Sequence, residues 1–247
     1  MDATEDLAKR WEKLQLSTEE SSCFHVKQEV HQGFEGLGKQ CIMAKAMVDK
    51  NVNSEAFRVT MSQIWRLEGW VRFKELGDQS FLIEFQKMMD KEKVLGGRTW
   101  FFDRCLLAIQ EVDETQSINA LQFRYEPFWV QLHNLPLVTV TETFGEEFAA
   151  SIGPVIRVEA GSDGRAWGRC LRVRVAVDLH KPLMRGKWLG VDGKQHWISF
   201  KYERLQNFCF QCDTLSHKGR TCVRSRVDQQ SDDLNLLQFG LGYELNP

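Results

Sequence analysis

The sequence predicts an α+β fold made of two consecutive units and a short C-terminal segment rich in metal ligands. The chain has 247 residues, enough for one large or two small domains with a sizeable buried core. Hydrophobic residues make up 43% and charged residues 27%, the composition of a folded chain rather than a disordered one. Short alternating apolar runs are separated by stretches of helical period, and this mixture predicts both strands and helices.

The first unit is predicted between residues 40 and 113, with the element order β-α-β-β-α-β. This order is that of the split β-α-β sandwich of RNA-recognition-like folds, in which helices cover one face of the sheet and leave the other open. The predicted strands are 41–46, a hairpin of 70–74 and 81–85 around Gly77-Asp78, and 106–109. The first predicted helix begins behind Asn53 or Ser54 and has Phe57, Met61, Ile64 and Trp65 on one face. The second, at about 88–96, has Met88, Val94 and Leu95 facing in and ends at Gly96-Gly97.

A second unit is predicted from Pro127 onwards, and it repeats the opening β-α-β-β of the first at the level of pattern. Between 180 and 195, Pro182 and three glycines favour loops and a hairpin over a second helix. The predicted elements are strands at 128–133, 155–158, 171–177 and 196–202, and a helix that is entered through Thr141 or Thr143, has Phe144, Phe148 and Ile152 on one face and ends at Gly153-Pro154.

The most specific motif lies at 209–222 and has the spacing Cys-x2-Cys-x4-His-x4-Cys. Three thiolates and one imidazole without a carboxylate suit tetrahedral Zn²⁺, and four protein ligands leave no open position for a reactive water. The predicted zinc is therefore structural, with Cys209, Cys212, His217 and Cys222 as its ligands. Because so short a segment cannot bury a core, metal binding would supply most of its folding free energy, on the order of 10 kcal/mol.

This spacing is that of retroviral-type zinc knuckles, which bind single-stranded RNA or DNA. Phe210 follows the first ligand directly, at the position where such knuckles place an aromatic ring that stacks on a base. Asp213 and Ser216 stand where knuckles usually have glycine, and the sequence suggests that Asp213 places a negative charge near the nucleic-acid face.

Basic residues are concentrated around the knuckle, although the whole chain has a formal net charge of −2. Residues 201–226 hold six basic side chains against Glu203 and Asp213, so this stretch carries +4 and the other 221 residues carry −6. Phosphate contacts from such a stretch would give salt-dependent, largely sequence-independent affinity, whereas the alternative is a solvated run of charge. The six residues are Lys201, Arg204, Lys218, Arg220, Arg224 and Arg226.

Four runs of sequence carry a likeness to a known family. They are VLGGRTWFFD at 94–103, PFWVQLHNLP at 127–136, LRVRVAVD at 171–178 with KPL at 181–183, and FKYERL at 200–205 leading into FCF at 208–210. With them the chain resembles the plant domain-of-unknown-function 4283 family followed by a CCHC zinc knuckle, as found in gag-like proteins of LINE-type retrotransposons. The resemblance covers about 40 to 222 and implies nucleic-acid binding, with the four knuckle residues named above as zinc ligands.

Organised in this way, the chain is predicted to have five parts. They are an acidic helix and linker at 1–39, with Leu7, Trp11 and Leu14 at helical spacing, an RNA-recognition-like domain at 40–113, a second α+β lobe at 126–205, the zinc knuckle at 206–226 and a tail at 227–247.

The two sheets differ in what their open faces would offer a nucleic acid. In the first unit the base-stacking positions of the central strands fall on Ser80, Leu82 and either Met43 or Lys45, so this unit is interpreted as a packing scaffold.

In the second unit, alternation along 128–133 places Trp129, Gln131 and His133 on one face of the strand. Alternation along 171–177 places Arg172 and Arg174 on the face opposite to that of the valines of the same strand. One hypothesis is an exposed surface that stacks bases and contacts phosphates, extended by Trp197 and Lys201. The other is that Trp129 belongs to the core and the arginines form surface ion pairs.

The sequence as a whole favours a zinc-dependent binder of single-stranded RNA or DNA. This binder is expected to be non-enzymatic, because the sequence has no nucleophile motif and no complete phosphate loop. The alternative is a protein-interaction or assembly module that self-associates, suggested by Asp213, the acidic first helix and the apolar tail at 234–243. The predicted nucleic-acid contacts are Phe210, Lys218, Arg220, Arg224, Arg226, Lys201, Trp129, Arg172 and Arg174.

The expected location is intracellular, in the nucleus or the cytoplasm, with no membrane partner and no small-molecule substrate. The chain begins without an apolar leader, contains no run of 18 apolar residues, and has seven cysteines, an odd number that suits a reducing compartment.

Overall fold

The structure is a computed structural model that describes residues 17, 19–24, 38–48, 51–112, 116–166, 168–217 and 222. Within the first 37 residues, Ser17 and Glu20 form a turn in which the Ser17 N–H donates to the Glu20 carboxylate (2.7 Å) and the Glu20 N–H donates to the Ser17 hydroxyl (3.2 Å). The predicted helix positions Leu7, Trp11 and Leu14 lie outside the described residues, and so does the tail at 227–247.

The first sheet contains five antiparallel strands in the order β2-β3-β1-β5-β4. Apart from the short edge strand β4, this is the strand order of the split β-α-β sandwich, so the predicted fold class is confirmed. Strand β4 was not predicted, because three residues are too few to show a period. The elements are β1 (Cys41–Ala46), α1 (Ser54–Trp65), β2 (Val71–Gly77), β3 (Ser80–Phe85), α2 (Met88–Gly96), β4 (Trp100–Phe102) and β5 (Cys105–Glu111).

Helix α1 begins where the sequence predicted, because the Asn53 side chain accepts a hydrogen bond from the Ala56 N–H (2.9 Å). Phe57, Met61 and Trp65 are buried at a spacing of four residues, whereas Ile64 is 44% exposed. The prediction that Ile64 faces inward is therefore wrong. The buried stripe of α1 is narrower than the apolar pattern suggests.

Helix α2 also differs from its prediction in its first turn, where Met88 is 40% exposed and Asp90 is buried instead. The Asp90 carboxylate accepts hydrogen bonds from the backbone N–H groups of Glu68 (3.1 Å) and Gly69 (2.8 Å). Because these bonds hold the loop before β2 against the helix, the inward position of the first turn is polar.

The glycine after α2 is explained by packing rather than by a left-handed turn. Gly97 has φ −80°, and a Cβ atom there would lie 2.6 Å from the Trp100 ring. The Trp100 indole donates to the Val94 carbonyl oxygen (2.8 Å), which fixes the ring over the end of the helix. The run VLGGRTW thus encodes the close approach of one tryptophan to the backbone.

The second sheet repeats the topology of the first, with the strand order β7-β8-β6-β10-β9. Strands β6, β7 and β8 take the positions of β1, β2 and β3, and the β9–β10 hairpin takes the position of β4–β5. As predicted, the described residues between β8 and β9 form no helix. The elements are β6 (Tyr125–His133), α3 (Glu142–Ala149), β7 (Val155–Val158), β8 (Cys170–Asp178), β9 (Gly186–Val191) and β10 (Lys194–Tyr202).

Helix α3 begins after Thr141, whose hydroxyl accepts from the Phe144 N–H (3.3 Å), and it ends at Ala149, before the predicted Ile152. Ile152 still packs against the core from the turn that follows. None of the helices in the described part of the chain has the length and apolar character needed to cross a membrane.

The two sheets share buried contacts along β5 and the first half of β6. Leu106 and Ala108 of β5 belong to the same buried cluster as the core of the second sheet. The Thr99 hydroxyl donates to the Pro127 carbonyl oxygen (2.7 Å), and the Ile109 N–H donates to the Glu126 carboxylate (3.0 Å). The first half of β6 is accessible to these groups because β10 pairs only with its second half.

Glu126 at this junction is fully buried, and its nearest cation is Arg98, with 3.9 Å between Oε1 and Nε. Burial raises the pKa of Glu126 to about 7, although Arg98 and the Ile109 N–H act in the opposite direction. The folded protein therefore holds this proton more tightly than the unfolded chain, whose carboxyl has an ordinary pKa of 4.5. Stability from this group is present below pH 4.5 and is lost as the pH rises through about 7.

We expect Glu126→Gln to remove this pH dependence. Between pH 5 and pH 8 the wild type should lose up to about 3 kcal/mol of unfolding free energy through Glu126, and the variant should not lose this contribution. Urea unfolding of both proteins at the two pH values measures this difference. Two parallel pH profiles would contradict it.

Candidate metal centre and nucleic-acid face

The four predicted zinc ligands lie together at the C-terminal end of the described chain. The ligand atoms of Cys209, Cys212, His217 and Cys222 are all within 4.8 Å of one another, and the three cysteines are buried. In a tetrahedral site two sulfurs, each about 2.3 Å from zinc, would lie about 3.8 Å apart. The residues therefore fit a four-coordinate structural zinc ion in both chemistry and spacing.

The loop between the first two ligands and the histidine is closed by its own backbone. The Cys209 N–H donates to the Thr214 carbonyl oxygen (2.9 Å), and the Asp213 N–H donates to the Cys209 carbonyl oxygen (2.7 Å). Asp213 has φ +58°, a left-handed conformation that explains why glycine is usual here and why aspartate is tolerated. Asp213 is also buried, which corrects the expectation that it places a charge at the exposed nucleic-acid face.

His217 is oriented by the other residue that replaces a glycine. Its Nε2 atom lies 3.4 Å from the Cys212 sulfur, and its Nδ1 atom lies 3.2 Å from the Ser216 hydroxyl oxygen. A metal-binding histidine commonly uses its second nitrogen in this way, which fixes the ring and its tautomer. Ser216 thus supports the ligand geometry.

Two thiols of the cluster differ in how readily they ionise. Burial raises the pKa of the Cys209 thiol to about 11. Burial also opposes ionisation of Cys212, but hydrogen bonds from Thr214 and the neighbouring thiols outweigh it and lower the pKa of Cys212. Metal binding would therefore release the proton of Cys209.

The knuckle occupies the place where the second sheet lacks a helix. The Leu183 N–H donates to the Asp213 carbonyl oxygen (2.8 Å), and the Leu215 N–H donates to the Leu179 carbonyl oxygen (3.1 Å). Phe208 and Leu215 are buried in the same cluster as the core side chains of β6, β8 and β10. Helices α1 and α2 cover the first sheet, whereas α3 and the knuckle cover the second. Sequence reasoning missed this docking, although the apolar residues Phe208 and Leu215 on either side of the first two cysteines were a signal.

The exposed aromatic residue of the knuckle is the predicted one. Phe210 is 56% exposed, and its ring centre lies 4.6 Å from that of the buried Phe208. The other predicted contacts of this region lie outside the described residues, namely Lys218, Arg220, Arg224 and Arg226.

The outer face of the second sheet, which we define as the face opposite its buried core, holds the remaining predicted contacts. Trp129 pairs with Arg174 and Gln131 pairs with Arg172 across β6 and β8, so these side chains share this face as predicted. Lys201 is exposed on the same face, opposite Gln131 in the register of β6 and β10.

The two arginines on the outer face already have partners. Arg172 donates to Glu203 (2.7 and 2.9 Å) and also pairs with Glu159. The hydrogen bonds to Glu203 raise the pKa of Arg172, and the same bonds lower the pKa of Glu203. Arg174 donates to the Gly96 (3.1 Å) and Arg98 (3.4 Å) carbonyl oxygens of the first unit.

Trp129 is half-buried, and the Arg172 guanidinium lies 4.6 Å from its ring centre. The surface thus combines features of both hypotheses, since the residues face outward and the arginines are paired. Contact between these residues and a nucleic acid stays a prediction.

The knuckle and the outer face lie on opposite sides of the second sheet. Phe208 and Leu215 attach the knuckle to the core side, whereas Trp129 and Lys201 point away from the core. Among the described residues, the structure therefore does not bring Phe210 and the predicted contacts of the outer face onto one side of the sheet. In the first sheet, the predicted stacking positions are neighbours across β1 and β3, with Met43 opposite Leu82 and Lys45 opposite Ser80.

Comparison with known proteins agrees with the resemblance found in the sequence. Residues 35–119 match the model of a domain of unknown function, DUF4283, and residues 177–224 match a zinc knuckle model. The second match begins at Val177, so it includes the segment on which the knuckle is docked and the β9–β10 hairpin. The chain is also 27% identical over 101 residues to the uncharacterized protein At4g02000 of Arabidopsis thaliana, covering 40% of this chain and 32% of that protein.

Two solved structures show a distant likeness. The NONO-1 homodimer of C. elegans is 12% identical, with a TM-score of 0.24 over 56% of this chain and 50% of that one. The RNA-binding domain of Hrp1 in complex with RNA is 10% identical, with a TM-score of 0.26 over 68% of this chain and 98% of that one. The strand order described above, and not these likenesses, establishes the topology of the two sheets.

Proposed function

We propose that this protein is a non-enzymatic binder of single-stranded RNA or DNA whose affinity depends on zinc held by its knuckle. The observation that carries the proposal is the converging cluster of Cys209, Cys212, His217 and Cys222 with the exposed Phe210 beside it. A complete set of four protein ligands leaves zinc no open position for chemistry, so the metal would act as a structural support. A gag-like role in a retroelement is what the family resemblance adds to this proposal.

The expected mode of binding is stacking supported by phosphate contacts. Phe210 would stack on a base, which aromatic residues do with little dependence on sequence. The basic residues Lys218, Arg220, Arg224 and Arg226 would contact the backbone, and their contribution would fall as salt rises.

The proposal is tested by measuring the affinity of the full zinc-loaded chain for a labelled single-stranded oligonucleotide. We expect affinity to fall as salt is raised, and to fall at least tenfold after zinc is removed with a chelator. Phe210→Ala should weaken binding about five- to 150-fold, because stacking on one base is worth about 1–3 kcal/mol. Arg220→Ala should weaken binding and lower the salt dependence by about one phosphate contact.

Phe24→Ala is the matched control, since Phe24 is 89% exposed and lies far from the knuckle in sequence. This control should bind as the wild type does. Affinity that is indifferent to zinc and to salt would overturn the proposal. Concentration-dependent oligomers of the nuclease-treated protein, without oligonucleotide binding, would favour the alternative of an assembly module.

A further inference from the structure

An exposed pair of tryptophans lies on the outer face of the second sheet, at its β9–β10 edge. Trp188 is 61% exposed and Trp197 is 40% exposed. They are opposite each other in the strand register, and their ring centres lie 5.3 Å apart at 65°. Large apolar rings that remain in water in a folded chain indicate a binding surface when they form a contiguous patch.

The backbone beneath this pair leaves room for it. Gly186 faces Ser199 in the register, and a Cβ atom at Gly186 would lie 2.7 Å from the Trp197 ring. The same atom would lie 2.4 Å from the Ile198 carbonyl oxygen. Glycine at this position therefore allows the Trp197 indole to lie close against the strand.

The tryptophan pair shares its face with an excess of positive charge. The side chains of Arg157, Arg172, Arg174 and Lys201 are opposed there by those of Glu159 and Glu203, which leaves +2. The chain outside 201–226 carries −6, so this face differs in sign from most of the molecule. A partner that offers flat rings and negative charge at regular intervals is complementary to such a face.

The geometry also indicates which rings are accessible to a base. Trp129 is half-buried and already has the Arg172 guanidinium over its ring, whereas Trp188 and Trp197 expose more of their surface. Glu203 lies beside Trp129, because the Glu203 N–H donates to the Trp129 carbonyl oxygen. Trp197 lies six residues before Glu203, so the tryptophan pair is about 20 Å from Trp129 along β10. Lys201 lies between them on the same face.

We propose that Trp188 and Trp197 form a second stacking platform for single-stranded nucleic acid, continuous with the basic outer face of the second sheet. This inference rests on the proposed function and extends it to a site on the opposite side of the sheet from the knuckle. Bases stack on the two indoles while the backbone runs along β10 past Lys201 towards Arg172 and Arg174.

The test compares the wild type with the double variant Trp188→Ala/Trp197→Ala, both zinc-loaded and full length, on a labelled single-stranded oligonucleotide. Affinity should fall at least tenfold, because stacking contributes about 1–3 kcal/mol per base. The slope of affinity against salt should stay the same, since the variant removes no charge. On an abasic oligonucleotide of equal length, the two proteins should bind equally.

Trp70→Ala is the matched control, because Trp70 is 46% exposed on the first unit beneath the Arg72 guanidinium. The variant Trp188→Phe/Trp197→Phe should restore most of the affinity, which separates loss of stacking from loss of folding.

Unchanged affinity in the double alanine variant would overturn the inference while the zinc-dependent binding of the wild type stands. An equal loss of affinity for the abasic strand would also overturn the inference. A loss of self-association with unchanged oligonucleotide affinity would overturn it too, because the pair would then be a protein interface. Absence of binding by the wild type would overturn the proposed function and the platform together.

Discussion

Removing zinc should unfold the knuckle and also destabilise the second sheet, by several kcal/mol. Small zinc modules obtain on the order of 10 kcal/mol from the metal, so the loop at 209–222 cannot remain folded without it. Phe208 and Leu215 would then leave the core, and each buried side chain of this kind contributes about 1.5–3 kcal/mol. Leu179 and Leu183 would lose the backbone partners that cover them.

Hydrogen exchange read by mass spectrometry checks this expectation segment by segment. After chelation, or in Cys212→Ser, protection should fall in β8, β9 and β10 and persist in β1 and β3. Cys170→Ser is the matched control, because Cys170 is a half-buried cysteine of the same sheet that lies on its outer face. Full protection of β8 and β10 in the chelated protein would show that the sheet does not depend on the knuckle.

Phe57→Ala should cost about 3–5 kcal/mol of unfolding free energy, the range for truncating a fully buried phenylalanine. The Phe57 ring is completely buried, stacks on Phe81 at 4.3 Å between centres, and meets the edges of Phe73 (5.8 Å) and Phe102 (5.2 Å). No single neighbour can fill the space, because three rings from separate strands define it. Urea unfolding measures the loss.

Ile64→Ala provides the control on the same helix. Ile64 is 44% exposed, so its truncation should cost less than about 1 kcal/mol. A cost equal to that of Phe57→Ala would mean that Ile64 belongs to the core, as its spacing in the sequence had suggested. The pair of variants therefore tests the burial pattern of α1 directly.

Local patterns in the sequence were enough to predict most of the elements. The strand at 41–46, the helix start at Asn53 and the absence of a helix after β8 are properties of short stretches, set by alternation, capping and glycine content. The four ligands were equally visible, because their spacing within one loop already determines that they can converge.

Tertiary contacts decided what local patterns leave open. The sequence pattern made Gly153 the end of a helix. In the structure a Cβ atom at Gly153 would lie 2.2 Å from the Ala176 carbonyl oxygen, so the lack of a side chain at Gly153 allows close packing against β8. Gly97 and Gly186 likewise make room for Trp100 and Trp197. For Gly153 and Gly186 the partner lies on another strand, which the neighbouring sequence does not predict.

The sequence by itself determined the ligand set, the split β-α-β order and the alternation that places Trp129 with Arg172 and Arg174. Only the tertiary structure decided that the knuckle replaces a helix, that Asp213 is buried, and that Trp188 lies beside Trp197 as a second exposed ring of the outer face. The physical reason is that spacing and period constrain residues close in sequence, whereas burial and pairing depend on which distant segments meet.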